Sequence, residues 1–265
     1  MFSSAAAREQ SGHALARAMD AAEQFLTSRP VSVGRAECPG MDTTYWQTHR
    51  ERFYRTAKLF LRGTTRWPLR ALDVGSYYLH FAAILCQLGL QTEACDMPEF
   101  ADNLAVRDRA ARLGIRNVAI EPLTQLRRLP YATGQFDAVF LLETVEHWNA
   151  NPRVFLNELR RIIAPGGRLV VTTPNFYGYP HLFGRLIRLL TARGGYLSVQ
   201  ELLTQENLMH HWKEYSRVEL RELFHAYGLT ERCSTTLTGI GDGTPRWVAK
   251  LCRPWGHFLY AEYEG

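Results

Sequence analysis

The chain has 265 residues, 46% hydrophobic and 22% charged, the balance of an ordinary globular domain, not of a disordered, collagenous or coiled-coil chain. No apolar run approaches the ~18 residues that span a bilayer, the start MFSSAAAREQ lacks a basic-then-apolar leader, and five widely spaced cysteines without C-x-x-C point to reduced thiols in the cytoplasm. The net charge of +5, nearly all arginine, is compatible with anionic substrates or a peripheral membrane contact, but no basic arm of nucleic-acid type is present.

Helical periodicity (Leu15, Met19, Ala22, Phe25, Leu26) predicts a first helix, and RPVSVGRAECPG a loop. Asp42 is then expected to cap a second helix running to about Leu61, with Tyr45, Trp46, Phe53, Tyr54 and Phe60 along it. From residue 70 short apolar runs alternate with helical patterns, the rhythm of βαβ units on a parallel sheet. Strands are predicted over 70–75, 91–96, 117–120, 136–142 and 168–173. Helices end near Gly89 and Gly114, and another opens at Asn151-Pro152 and closes at Pro165-Gly166-Gly167. A capping box, Ser216-x-x-Glu219, starts a further helix that Gly228 stops. Segments 230–239 and 245–252 are predicted to form an antiparallel hairpin at the sheet edge.

In an open α/β sheet ligands bind beyond the carboxyl ends of the strands. The residues there are Asp73-Val74-Gly75-Ser76-Tyr77, Asp96-Met97-Pro98-Glu99, Glu121-Pro122, Glu143-Thr144-Val145-Glu146-His147 and Thr173-Pro174-Asn175. An acid at the end of the second strand suits a grip on ribose hydroxyls, which makes Asp96 the first candidate, and Gly75 lets backbone approach a ligand closely.

ALDVGSY at 71–77, ACDMPE at 94–99, LPYATGQFDAVFLLETVEHW at 129–148, FLNELRRIIAPGGRLVVTTPN at 155–175 and HHWKEYSRVELRELFHAYGL at 210–229 together resemble the class I S-adenosylmethionine-dependent methyltransferases. Within that family they look most like bacterial small-substrate O-methyltransferases acting on cell-surface sugars or natural products. The resemblance covers about residues 70–230. It implies a doubly wound, mostly parallel seven-stranded α/β sheet over 66–265, an N-terminal helical cap over 1–65 and a helical cap insertion at about 176–215. It implies S-adenosyl-L-methionine as cofactor. Asp73 and Gly75, with Ser76 and Tyr77 in the same turn, would line its methionine end; Asp96 would hold the ribose, Met97 pack on adenine and Glu121 lie near the adenine amine. Leu142 and Glu143 would sit by the sulfonium. One departure stands out: in the family's D-x-G-x-G-x-G turn the second and third glycines are here Tyr77 and Leu79, so Tyr77 either narrows the cofactor space or turns its ring away. The absence of G-x-G-x-x-G argues against a nicotinamide enzyme.

Glu143-x-x-Glu146-His147 carries three readings. His147, or His211 from later in the chain, is a candidate general base for a hydroxyl acceptor, since imidazole ordinarily titrates at ~6.5. Glu143, Glu146 and His147, joined by His210 or His211, are candidate ligands for Mg²⁺ or Mn²⁺ rather than Zn²⁺, and similar clusters bind magnesium in ubiquinone-pathway and small-RNA methyltransferases. The third reading is structural, with Glu146-His147 tying the strand-four loop to the next helix. Tyr45, Trp46 and Tyr54 either form a lid or simply pack the second helix. Arg185, Arg188 and Arg193 in HLFGRLIRLLTARGG suit a membrane or phosphorylated substrate, or else a solvated helix face. The expected acceptor is a sugar, a lipid-linked sugar or a phenolic metabolite. The competing functions are a non-catalytic cofactor-binding scaffold, which the Tyr77 turn motivates, and a metal-dependent RNA 2′-O-methyltransferase.

Overall fold

The computed structural model describes residues 5–31, 41–64, 69–191, 211–237 and 255–265. Two helices come first, α1 (Ala5–Ser28) and α2 (Met41–Arg62). Strands and helices then alternate: β1 (Arg70–Val74), α3 (His80–Gln87), β2 (Gln91–Asp96), α4 (Pro98–Ala101), α5 (Leu104–Leu113), β3 (Arg116–Ala119), β4 (Phe136–Leu142), a 3₁₀ turn (Val145–His147), α6 (Arg153–Ile162), β5 (Ile163–Pro174), α7 (Tyr179–Leu190), α8 (Arg217–His225), β6 (Thr230–Leu237) and β7 (Phe258–Glu264).

The strands form one seven-stranded sheet in the order β3-β2-β1-β4-β5-β7-β6. The first five are parallel, and β7 enters between β5 and β6, antiparallel to both. β4 reads FDAVFLL, a nearly unbroken apolar run, because a central parallel strand is covered on both faces. On one face Phe155, Leu159, Ile162 and Phe224 pack against Val139, Leu141 and Val171. On the other, Leu15, Met19, Ala22 and Leu26 of α1 and Trp46, Phe53, Ala57 and Phe60 of α2 pack with Phe81, Phe140 and Val170. The N-terminal helices thus share one core with the sheet, and their buried residues recur at the 3–4-residue interval of an amphipathic stripe.

Four expectations need correction. Asp42 does not cap α2. It lies within the first turn, buried, and its carboxylate accepts from the Val31 N–H (2.6 Å) and from Arg109 (2.7 and 2.9 Å), with His80 Nε2 2.8 Å away. Burial alone would raise its pKa, but the bonds from His80, Arg109 and Val31 hold it well below the usual carboxylate range. Arg109 also donates to the carbonyls of Leu26, Arg29 and Tyr78, so one α5 guanidinium ties the end of α1, the start of α2 and the loop after β1 together. Strand five begins at Ile163, with Pro165-Gly166-Gly167 inside it; Gly166 has φ 71°. The second strand is followed by two helices, α4 and α5, not one, and Asn103 caps α5 by accepting from the N–H groups of Ala105 and Val106. Finally, β6 pairs with Phe258–Glu264; segment 245–252 lies outside the described residues. The Ser216–Glu219 capping box is present in both halves.

Candidate functional site

The loops after β1, β2 and β4 meet at the carboxyl edge of the sheet. Asp96, the last residue of β2, organises its neighbours: Oδ2 accepts from the Tyr77 N–H (2.6 Å) and Oδ1 from the Met97 N–H (2.7 Å). Burial pushes its carboxyl up to about 6 against the pull of those two N–H groups. Asp73, near the end of β1, is pushed up to about 7 by burial and then by the charge of Asp96. Its Oδ2 and the Ser76 hydroxyl are buried without a hydrogen-bond partner among the described residues, an arrangement that demands a ligand or water.

Gly75 has φ +70°, and a Cβ there would meet Thr144 Oγ1 at 2.6 Å. Only glycine lets the β1 and β4 loops approach this closely. Tyr77 (φ 48°) and Leu79 (φ 63°) take left-handed conformations that glycine usually fills, at a cost of about 1–2 kcal/mol each. Leu79 offsets this by complete burial against Val31, Ala82 and Val106. The Tyr77 ring packs on Tyr78, Phe100 and Tyr45, with centroids 3.9, 4.9 and 5.3 Å away. Of the three aromatic lid candidates on α2, Tyr45 makes ring contact with this turn, Trp46 is buried in the core and Tyr54 is half-buried at its margin. Met97 is half-buried beside Asp96, and Glu121 is exposed on the loop after β3.

Beyond β4, Leu142 is buried and Glu143 is a third non-glycine residue at positive φ (54°). Its Oε2 meets Arg52 Nη1 of α2 at 3.0 Å. Arg52 is itself buried, over the rings of Phe53 and Phe258 and 3.4 Å from the Tyr45 hydroxyl. Burial raises the Glu143 pKa, with Arg52 opposing. Glu146 is completely buried; burial and the adjacent Glu143 charge push it well above the ordinary value. Glu143 is the carboxylate nearer the cation, so Glu146 is the one that keeps a proton. The Thr173 hydroxyl donates to Glu146 Oε2 (2.9 Å), and Oε1 has no hydrogen-bond partner among the described residues.

The Glu146 carbonyl accepts from the N–H groups of Trp212 (2.7 Å) and Lys213 (3.3 Å). This brings His211 to His147, ring centroids 5.0 Å apart and nearly perpendicular. The fold therefore gathers Glu143, Glu146, His147 and His211 as the sequence suggests; His210 lies outside the described residues. Potential ligand atoms of Glu146, His147 and His211 lie within 4.8 Å of one another, while Glu143 turns to Arg52 instead.

Sequence reasoning missed Arg52 and its neighbour His49, whose imidazole burial and the Arg52 charge push down to about 3, so that it stays neutral. The available signal was a polar series, His49, Arg52 and Thr56, on the stripe of α2 that also carries Tyr45, Phe53 and Phe60.

A family model described as a methyltransferase domain matches residues 46–233. The ubiquinone biosynthesis O-methyltransferase of Caulobacter sp. (strain K31) is 34% identical over 116 residues, 43% of this chain and 45% of that protein. A probable methyltransferase of Arabidopsis thaliana is 27% identical over 128 residues, 47% of this chain and 21% of that protein. The chain thus spans between 21% and 45% of the length of these two curated relatives. The crystal structure of a SAM dependent methyltransferase from Aquifex aeolicus matches with a TM-score of 0.54 and 14% identity, covering 83% of this chain and 95% of that one, which establishes the shared fold. Family and fold together support S-adenosylmethionine as the cofactor.

Proposed function

Because the chain belongs to the methyltransferase-domain family, we propose that it transfers the methyl group of S-adenosylmethionine to a hydroxyl of a small-molecule acceptor: a sugar, a lipid-linked sugar or a phenolic metabolite. The carrying observation is the paired His147 and His211 beside Glu143 and Glu146 at the end of β4. The O-methyltransferase named for ubiquinone biosynthesis among the relatives favours oxygen as the acceptor atom. In this reading Asp96 accepts from the ribose hydroxyls with the lone pairs its two N–H partners leave, and Met97 packs on adenine, with Glu121 toward its amine. Asp73, Gly75, Ser76 and Tyr77 hold the methionine end, and Leu142 and Glu143 flank the sulfonium.

Methyl transfer is an in-line displacement, so alignment at near-attack distance is the main requirement. The acceptor oxygen forms the new C–O bond as the S–C bond breaks and its electron pair returns to sulfur. The hydroxyl proton passes to the imidazole of His147 or His211. Arg52 fixes Glu143, and protonated Glu146 anchors the loop that carries His147.

The same residues fit a divalent cation: Glu146 Oε1 has no hydrogen-bond partner among the described residues, and a carboxylate oxygen of Glu146 and a ring nitrogen of each of His147 and His211 lie within 4.8 Å of one another. Glu146, His147 and His211 would hold it, and it would lower the pKa of the acceptor hydroxyl. With Glu143 committed to Arg52, this set has more nitrogen than Mg²⁺ prefers and suits Mn²⁺ or Zn²⁺ better.

Incubation with methyl-labelled S-adenosylmethionine and 3,4-dihydroxybenzoate or a methyl glycoside tests the acceptor class. An O-methyl resonance in the product is expected. Label on carbon or nitrogen, or no transfer to either class, overturns the reading.

A further inference from the structure

Among its described side chains, helix α7 is amphipathic in an inverted sense. Its Arg185 points inward, ion-paired to Glu214 and stacked over the Phe176 ring at 4.3 Å. Leu182, Leu186 and Leu190, one stripe at i, i+4 and i+8, are 40%, 49% and 76% exposed, with Ile187 beside them at 45%. A helix of a water-soluble surface shows the reverse arrangement.

Two exposed aromatic residues stand at the root of the same helix. Tyr177 immediately precedes it, and Trp255 is brought there because Asn175 donates from its side chain to the Gly256 carbonyl (2.8 Å) and from its N–H to the His257 carbonyl (2.9 Å). From Asn175 to Gln200 the sequence holds no acid and, besides Arg185, whose charge Glu214 takes up, two further arginines, Arg188 and Arg193. A leucine stripe, amphipathic aromatics and cationic charge are the features of a helix that lies in the plane of an anionic membrane surface. At twelve residues α7 is too short to cross, and no helix among the described residues is long and apolar enough to do so.

We propose that α7, with Tyr177 and Trp255, docks the protein onto an anionic bilayer. Because α7 follows directly from the carboxyl end of β5, docking turns the His147–His211 edge toward the lipid. The docking stands on the surface just described; its consequence, that the acceptor is amphiphilic and drawn from the membrane, rests on the methyltransferase reading.

The test is flotation of the full chain with vesicles of phosphatidylcholine alone and of phosphatidylcholine mixed with phosphatidylglycerol. Binding is expected to the anionic vesicles, to weaken with salt, and to fall by about tenfold or more in L186E/L190E, with circular dichroism and cofactor binding unchanged. A wild-type chain that stays unbound, or a variant that floats equally well, overturns the proposal. So does light scattering that shows a wild-type dimer dissociated by the same substitutions, which would make the face a self-association surface. The readout needs no methyl transfer, so failure of docking and failure of the enzymatic reading are separable.

Discussion

His147→Ala lowers the methyl-transfer rate by about 10²–10⁴-fold, the range for loss of a positioned general base, and leaves the dissociation constant for S-adenosylmethionine unchanged. The split follows from geometry. His147 lies on the 3₁₀ turn beyond β4, facing His211 at 5.0 Å, whereas the candidate cofactor contacts come from the loops after β1 and β2 and, at the end of β4, from Leu142 and from Glu143, which Arg52 holds independently of His147. His211→Ala is expected to lose activity over the same range, because a ring nitrogen of each imidazole lies within 4.8 Å of the other and of a Glu146 carboxylate oxygen. A chelator separates the two chemistries. Activity that survives it belongs to an imidazole base; activity lost and restored by Mn²⁺ belongs to the cation the same residues fit. A turnover unaltered in both single variants removes the pair from the chemistry.

Arg52→Met is expected to destabilise the fold by about 3–5 kcal/mol, the cost of breaking a buried ion pair from one side. The Arg52 and Glu143 side chains are 2% and 11% exposed, so solvent does little to screen the loss. The Arg50–Glu23 pair, two residues along α2, is 48% and 32% exposed, and Arg50→Met is expected to cost no more than ~1 kcal/mol. Removing both charges, in R52M/E143L, recovers much of the stability, since an apolar pair of similar volume replaces a costly one. Urea unfolding of the four proteins measures this. Equal losses for Arg50 and Arg52 would show that the pair is not the bond between α2 and the β4 loop described above.

Phe136–Leu142 was legible because burial on both faces writes an apolar run into the sequence, and Gln91–Asp96 falls where the alternation of strands and helices puts it, although its QTEACD holds only Ala94 and Cys95 as apolar residues. The strand-end carboxylates followed, since parallel topology fixes which edge they occupy. β7 was not legible. Its FLYAEYE opens on four apolar residues and then alternates over Glu262-Tyr263-Glu264, yet Glu262 is buried, because Arg168 pairs with it at 3.0 Å inside the sheet. Asp42 looked like a cap because its partners Val31, His80 and Arg109 arrive from three other segments. Arg52 escaped for the same reason: it reaches Glu143 from a helix 91 positions away in sequence. Local pattern reports periodicity and capping, while long-range charge pairing appears only once the chain is folded.

Calorimetric titration of S-adenosylmethionine into the intact chain tests the central claim, that the edge between Asp73 and Asp96 seats this cofactor. Burial raises these carboxyls to about 7 and about 6, so at low pH both hold protons, and Asp73 offers the ammonium of the methionine end no counter-charge while Asp96 grips the ribose hydroxyls without one. Binding should therefore release protons and strengthen as pH rises through about 6–7, and Asp96→Asn should weaken it by about 10–100-fold, the loss of one or two charge-assisted hydrogen bonds. A chain that gives no binding heat at high micromolar cofactor, or one whose affinity ignores both pH and Asp96→Asn, contradicts the account.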